Sequence, residues 1–273
     1  MRARRSRSRA QIGAMGTHCL RRSPIVKFPF RLLSRARYEL LKKGMKGKAL
    51  IDRLQGLFDP DGAEPKLLRA SLVAEIAASK PAVVLDIGAN IGLWTTCLAK
   101  RFPASVVHAV EADPRTAATL RRNVQSLSNV AVHEVAIHSS AGRISFRSHE
   151  NPLLSSVLEL DDAVGATKTV EVEAITLDQF VRTRLPSCPA LVKIDTEGND
   201  MQVLAGAKET LADPRLRAIV MEFGFDPSTQ RQVVLQRLLD VMAEHGFRLR
   251  ELDLAGIYSD ALYGNAMFCR FGS

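Results

Sequence analysis

The chain has 273 residues, a hydrophobic share of 46% and both charge signs well represented, which suits one folded domain of about 100–200 residues with a tail and excludes a disordered or fibrous protein. The net charge of +9 is unevenly spread: residues 1–48 hold 15 Lys or Arg against one acid, Glu39, a net +14, whereas the other 225 hold 23 bases against 28 acids, a net −5. There is no run of about 18 apolar residues to span a membrane, and Arg21, Arg22 and Lys27 interrupt any apolar stretch that a secretory signal would need.

The basic head, residues 1–48, carries too little apolar material to fold alone and reads as a flexible arm. Its Arg- and Ser-rich, acid-poor character fits a transit peptide, contact with anionic lipid or nucleic acid, a solvated tail, or an extension upstream of a start at Met15. Residues 49–80 read as a helical lead-in and 81–273 as the catalytic domain. Cys19, Cys97, Cys188 and Cys269 are far apart, with no CxxC pair and no metal-like spacing. A reducing, cytoplasmic setting is therefore expected, with Cys97 and Cys269 as buried small hydrophobes and no metal site.

From Glu64 to Lys80, apolar residues at helical spacing predict an amphipathic helix. Ala82 to Ile87 is apolar and β-branched except at Asp86, as expected of a strand buried on both faces. Helical and strand signals then alternate in the manner of βαβ units. Leu93 to Arg101 is predicted helical and Ser105 to Val110 extended; Pro114 opens a helix, and Val130 to Ile137 forms a third strand.

After Gly142, RISFR makes a short strand. Lys168 to Ile175 alternates strictly, with Val170 and Val172 on one face and Glu171 and Glu173 on the other. That pattern puts it at an edge or in an insert, not at the sheet centre. Ala190 to Ile194 and Arg217 to Met221 are the fourth and fifth parallel strands, joined by a helix from Asp200 to Leu211. A last helix bearing Val234, Leu238, Val241 and Met242 stops at Gly246, and Phe247–Asp253 and Asn265–Phe271 close the chain as a hairpin around a loop containing Tyr258 and Tyr263.

The densest chemical signal is Asp86-Ile-Gly-Ala-Asn-Ile-Gly92, between a buried strand and a helix. Gly88 and Gly92 allow a sharp turn against a ligand, and the helix start offers free N–H groups to an anion. A dinucleotide fingerprint would place glycine where Asn90 stands, so the turn suits a smaller anion such as a methionine carboxylate. Glu111 ends the next strand, where a carboxylate can accept both hydroxyls of a ribose; the alternative is a charge complementing a helix start. Lys193-Ile-Asp195-Thr-Glu197-Gly198-Asn199-Asp200 follows the fourth strand. With strands one and four flanking the switch point, Asp195 and Glu197 face a ligand's reactive end or, on a plainer reading, cap a turn at Gly198. Glu222 ends the fifth strand in the same layer, and His138 and His149 stand behind the two acids as possible bases.

Taken in order, VVLDIGANIG, VEADP, AGRISF, LLSSVLEL, ITLDQF and LVKIDTEGNDMQVLAGA resemble the FkbM family of S-adenosylmethionine-dependent methyltransferases, over roughly Pro81 to Phe271. The resemblance implies an α/β, Rossmann-like class I fold, a seven-stranded mostly parallel sheet with helices on both faces and a C-terminal antiparallel hairpin. It also implies O-methylation of a sugar, glycan or small natural-product hydroxyl. Asp86, Gly88, Asn90, Gly92, Glu111 and Asp195 would bind S-adenosylmethionine, Asp195 and Glu197 would be catalytic, and Ser155 and Ser156 would lie near the pocket. The family often has EP or EPxP where this chain has Glu111-Ala-Asp-Pro114, and EGAE where it has Glu197-Gly-Asn-Asp200. The (Asn/Asp)-Pro-Pro-(Tyr/Phe) signature of enzymes methylating exocyclic amines is absent, and one Trp and three Tyr offer little for base stacking. A nucleic-acid methyltransferase and a noncatalytic cofactor-binding module are the alternatives.

Overall fold

The computed structural model describes residues 70–149, 167–196, 198–225, 235–258 and 261–270. Within them, seven strands form one sheet: β1 (Val83–Ile87), β2 (Val106–Glu111), β3 (Val130–Glu134), β7 (Leu191–Ile194), β8 (Ala218–Phe225), β9 (Arg248–Tyr258) and β10 (Ala261–Cys269). Their order is β3-β2-β1-β7-β8-β10-β9. The first five run parallel, and β10 pairs antiparallel with both β8 and β9. A smaller sheet, β4-β6-β5, comprises β4 (Ala136–Ile137), β5 (Gly142–His149) and β6 (Thr167–Ile175).

Hydrophobic burial fixes this arrangement. All five residues of β1 are buried, since the strand is covered on both faces. One face packs under α1 (Ala70–Ala78), α2 (Leu93–Arg101) and α3 (Pro114–Val124), through Ile76, Leu98 and Leu120. The other packs under α4 (Leu177–Arg184), α5 (Asp200–Ala205), α6 (Lys208–Ala212) and α7 (Leu235–Glu244), through Phe180, Val203, Leu211 and Leu238. The doubly wound, mostly parallel sheet ending in an antiparallel hairpin is the class I methyltransferase fold that the resemblance implies. Among the described residues no helix is long and apolar enough to cross a membrane.

Several local departures have physical causes. The third strand is broken between Glu134 and Ala136: Val135 donates its N–H to Glu111 O at 3.3 Å, and the chain leaves the main sheet to pair with β6. The predicted helix from Asp200 to Leu211 is two short helices. At the junction a Cβ on Gly206 would lie 2.3 Å from His138 O, so the backbone there packs directly on its neighbour. β8 continues past Met221 to Phe225, and the closing hairpin includes Tyr258 and Tyr263 in its strands instead of a loop. Lys168 to Ile175 stands outside the main sheet as expected, with Val172 buried and Glu171 exposed. The arm, the lead-in as far as residue 69, Ser155 and Ser156 lie outside the described residues, as does the start of the helix predicted from Glu64.

Candidate cofactor and active site

The strand order reverses between β1 and β7, and in open α/β sheets that reversal opens a crevice beyond the strands' carboxyl ends. A cleft lies there, lined by Gly88, Asn90, Glu111 and Asp195 among others. The bend after β1 is held tightly to its neighbours. Gly88 and Ala89 both donate to Val110 O, at 3.0 and 2.9 Å, and Asp195 donates its N–H to Ile87 O at 3.0 Å. Gly88 has φ +74, and a Cβ on it would lie 1.8 Å from Asp195 O, so glycine is required on both conformational and steric grounds. Asn90 also adopts a left-handed conformation, φ +51, and its side-chain oxygen accepts from Ile91 N at 2.8 Å.

Gly92 and Asp86 do not line the cleft but support it. Gly92, φ +96, precedes α2, and a Cβ there would meet Leu120 Cδ1 at 2.7 Å; it lets α2 and α3 approach. Asp86 is fully buried, and its Oδ2 accepts from the Thr95 hydroxyl at 2.6 Å. Burial raises its carboxyl above the usual range, opposed by Lys193 and Thr95.

Glu111 is 7% exposed at the tip of β2. Its Oε2 accepts from Asn90 N at 2.8 Å and its Oε1 from Asp113 N at 2.9 Å. The side chain thus joins the β1 bend to the start of α3, where Asp113 caps Arg115 N. Burial pushes the Glu111 carboxyl up to about 7, and the two N–H bonds restrain the rise.

Lys193 lines the cleft floor and was not singled out from sequence as a site residue. Its Nζ lies 2.8 Å from Asp195 Oδ2. Burial alone would lower its proton affinity, but Asp195 and Asp86 outweigh it and hold the ammonium charged. Glu222, half-buried on β8, adds to that effect without lining the cleft. The sequence signal for Lys193 was a charge inside an otherwise apolar buried strand. Trp94, Asn199 and Phe146 also line the cleft and were missed. Trp94, in the first turn of α2, had the signal of being the sole tryptophan. Phe146 comes from β5, whose contribution depends on the small sheet folding over the site.

The acids after β7 divide. Asp195 reaches the cleft, whereas Asp200 is buried and accepts from Thr196 N at 2.9 Å and Thr196 Oγ1 at 2.8 Å, closing the turn. Glu197 lies outside the described residues. His138 does not line the cleft; its ring meets the Ser139 hydroxyl at 3.2 Å. Of His149, only the backbone in β5 is described. Among the described residues no group of three or more His, Cys, Asp or Glu could hold a metal.

These features suit S-adenosylmethionine. A glycine bend admits a ligand close to the backbone, Glu111 stands at the strand tip where a ribose diol is read, and Asp195 offers an anion beside Gly88. Ala112, Val135, Ala136 and Phe146 give an apolar wall able to face a purine.

The Methyltransferase FkbM domain family matches residues 86–249. The chain is 28% identical over 196 residues to the 2-O-methyltransferase NoeI of Sinorhizobium fredii, covering 67% of this chain and 79% of that one. It is 25% identical over 151 residues to the hexuronic acid methyltransferase AglP of Haloferax volcanii, covering 55% and 60%. Among solved structures, Aeropyrum pernix fibrillarin with natively bound S-adenosyl-L-methionine aligns with a TM-score of 0.44 at 11% identity, over 68% of this chain and 66% of that chain. With the FkbM domain matched across most of the sheet and the cleft, the chain belongs to the FkbM methyltransferases, and its cofactor is S-adenosylmethionine.

Proposed function

We propose that the chain methylates a hydroxyl on a carbohydrate or small natural product. The observation that carries this reading is the convergence of Gly88, Glu111 and Asp195 on one cleft at the switch point of a chain in this family. The relatives' names, a 2-O-methyltransferase and a hexuronic acid methyltransferase, support a hydroxyl acceptor of sugar type.

When bound, S-adenosylmethionine supplies a methyl carbon on a sulfonium, open to displacement by an acceptor oxygen. Gly88 and Asn90 would seat the amino-acid end against the backbone, with Asp86 and Gly92 holding the bend in shape. Glu111 would accept the ribose hydroxyls, and Asp195 a hydrogen bond from the cofactor's ammonium. Glu197, two residues on, would take the acceptor's proton, a contribution of about 10²–10⁴-fold for a positioned base. Alignment of acceptor and methyl carbon in a dry cleft would supply more, about 7–11 kcal/mol.

The test is incubation of the protein with methyl-labelled cofactor and separate pools of oligosaccharides, small hydroxylated natural products, lipids and RNA. Label in the saccharide or natural-product pool is the expected result. Label in RNA alone would instead favour the nucleic-acid alternative.

A further inference from the structure

The floor of the cleft carries an ion cluster, buried at Asp86 and Lys193 and partly exposed at Asp195. Asp86 and Lys193 are register partners on the adjacent strands β1 and β7, so their side chains leave the sheet on the same face. Asp86 is 0% and Lys193 2% exposed. Nζ is 2.8 Å from Asp195 Oδ2 but 3.8 Å from Asp86 Oδ1, too far for a hydrogen bond. Asp86 Oδ1 is one of two buried side-chain atoms without a hydrogen-bond partner among the described residues.

Burying the Lys193 ammonium and the Asp86 carboxylate is costly unless each is compensated, and removing one partner leaves an uncompensated charge; Asp195, its side chain 26% exposed, completes the pairing at the cleft edge. Asp86 and Asp195 share the one ammonium of Lys193, with Glu222 and Asp200 also acting on the cluster, so negative groups outnumber positive ones beside the cleft and a cationic group on a ligand would be balanced there. A ligand ammonium arriving at Asp195 competes with Lys193 for it. Asp86 Oδ1 then offers Lys193 a second partner, reached by a shift of about one ångström at the end of a flexible side chain.

We infer that Lys193 is a positioning residue for the amino-acid end of the cofactor. It holds Asp195 in place at the tip of β7 and passes to Asp86 Oδ1 when Asp195 engages the ligand's ammonium. The inference rests on the reading of the cleft as the S-adenosylmethionine site. Acting on the amino-acid end through Asp195, Lys193 on removal weakens ligands that carry that end and spares ligands that lack it.

The test is a titration of the full chain with S-adenosylhomocysteine and, separately, with 5′-methylthioadenosine, which keeps the adenosine and thioether but has no amino-acid moiety. Trp94, the sole tryptophan, lines the cleft with Lys193 Nζ 5.7 Å from its ring centroid, so its emission reports binding, with calorimetry alongside. Lys193→Met is expected to weaken S-adenosylhomocysteine by at least about tenfold and to leave methylthioadenosine unchanged. Lys193→Arg is expected to recover part of the loss. The double variant Asp86→Asn with Lys193→Met, which removes the carboxylate stranded by the single change, is expected to show the same selective loss. Equal weakening of both ligands in the single and double variants, or no weakening of S-adenosylhomocysteine, would overturn the inference. Wild-type protein that binds neither ligand would overturn the cofactor reading itself, and the inference with it.

Discussion

Gly88 and Asp195 are in backbone contact: a Cβ on Gly88 would overlap the Asp195 carbonyl oxygen at 1.8 Å. This contact closes the floor of the cleft between β1 and β7. Gly88→Ala must therefore adopt a left-handed conformation and also push two buried strand ends apart. The combined cost is expected to be roughly 2–5 kcal/mol. Denaturant unfolding checks it, and a variant as stable as the parent would mean that the bend does not rest on β7.

Glu111 gives stability a pH dependence of definite sign. Its carboxyl moves from 4.5 to about 7 on folding, so the folded protein holds the proton more tightly than the unfolded chain. The stability from that proton is full below the unfolded value and is lost as pH rises through the folded one. Glu111→Gln fixes the group neutral. Relative to wild type, the variant is expected to gain up to about 3 kcal/mol between pH 4.5 and pH 8. Urea unfolding at the two pH values reads the difference, and a gap that does not change would contradict it.

His108 and His133 act in the opposite direction. Their ring nitrogens meet at 2.9 Å, and His133 packs edge-on against Phe180. Burial, followed by the charges of His108 and Arg184, lowers His133 from 6.5 to about 4. The folded state thus resists protonation, and stability present above 6.5 is lost as pH falls toward 4. Between 4.5 and 6.5 this slope offsets that of Glu111, so the wild-type curve is expected to be flatter there than that of Glu111→Gln. NMR titration of the His133 ring is expected to show a midpoint near 4; a midpoint near 6.5 would contradict the effect of its packing against His108 and Phe180.

Glu197→Gln is expected to lower kcat by about 10²–10⁴-fold while leaving the affinity for S-adenosylhomocysteine unchanged. Steady-state kinetics paired with calorimetry separate the two effects. Loss of binding together with kcat would place Glu197 on the cofactor instead of the acceptor.

The β1–bend–α2 unit was legible because its signals are local: an apolar β-branched run, then glycines where φ must be positive. Glu111 was legible from its place at the end of the next strand. Other features depend on contacts that no local pattern encodes. The break at Gly206 is set by the carbonyl of His138, 68 positions earlier, and the exit of the chain after Glu134 by pairing with β6. Lys193 lies in the segment from Lys193 to Asp200, yet its pairing with Asp86, more than a hundred residues away in sequence, exists only across the sheet. Gly92 carries the same glycine signal as Gly88, yet its missing side chain makes room for Leu120.

The most direct test is a crystal structure of the protein with S-adenosylhomocysteine. The expected density places the ribose hydroxyls within hydrogen-bond distance of Glu111, with the amino-acid end between Gly88 and Asp195. A ligand bound elsewhere, or one whose ribose faces away from Glu111, would contradict it.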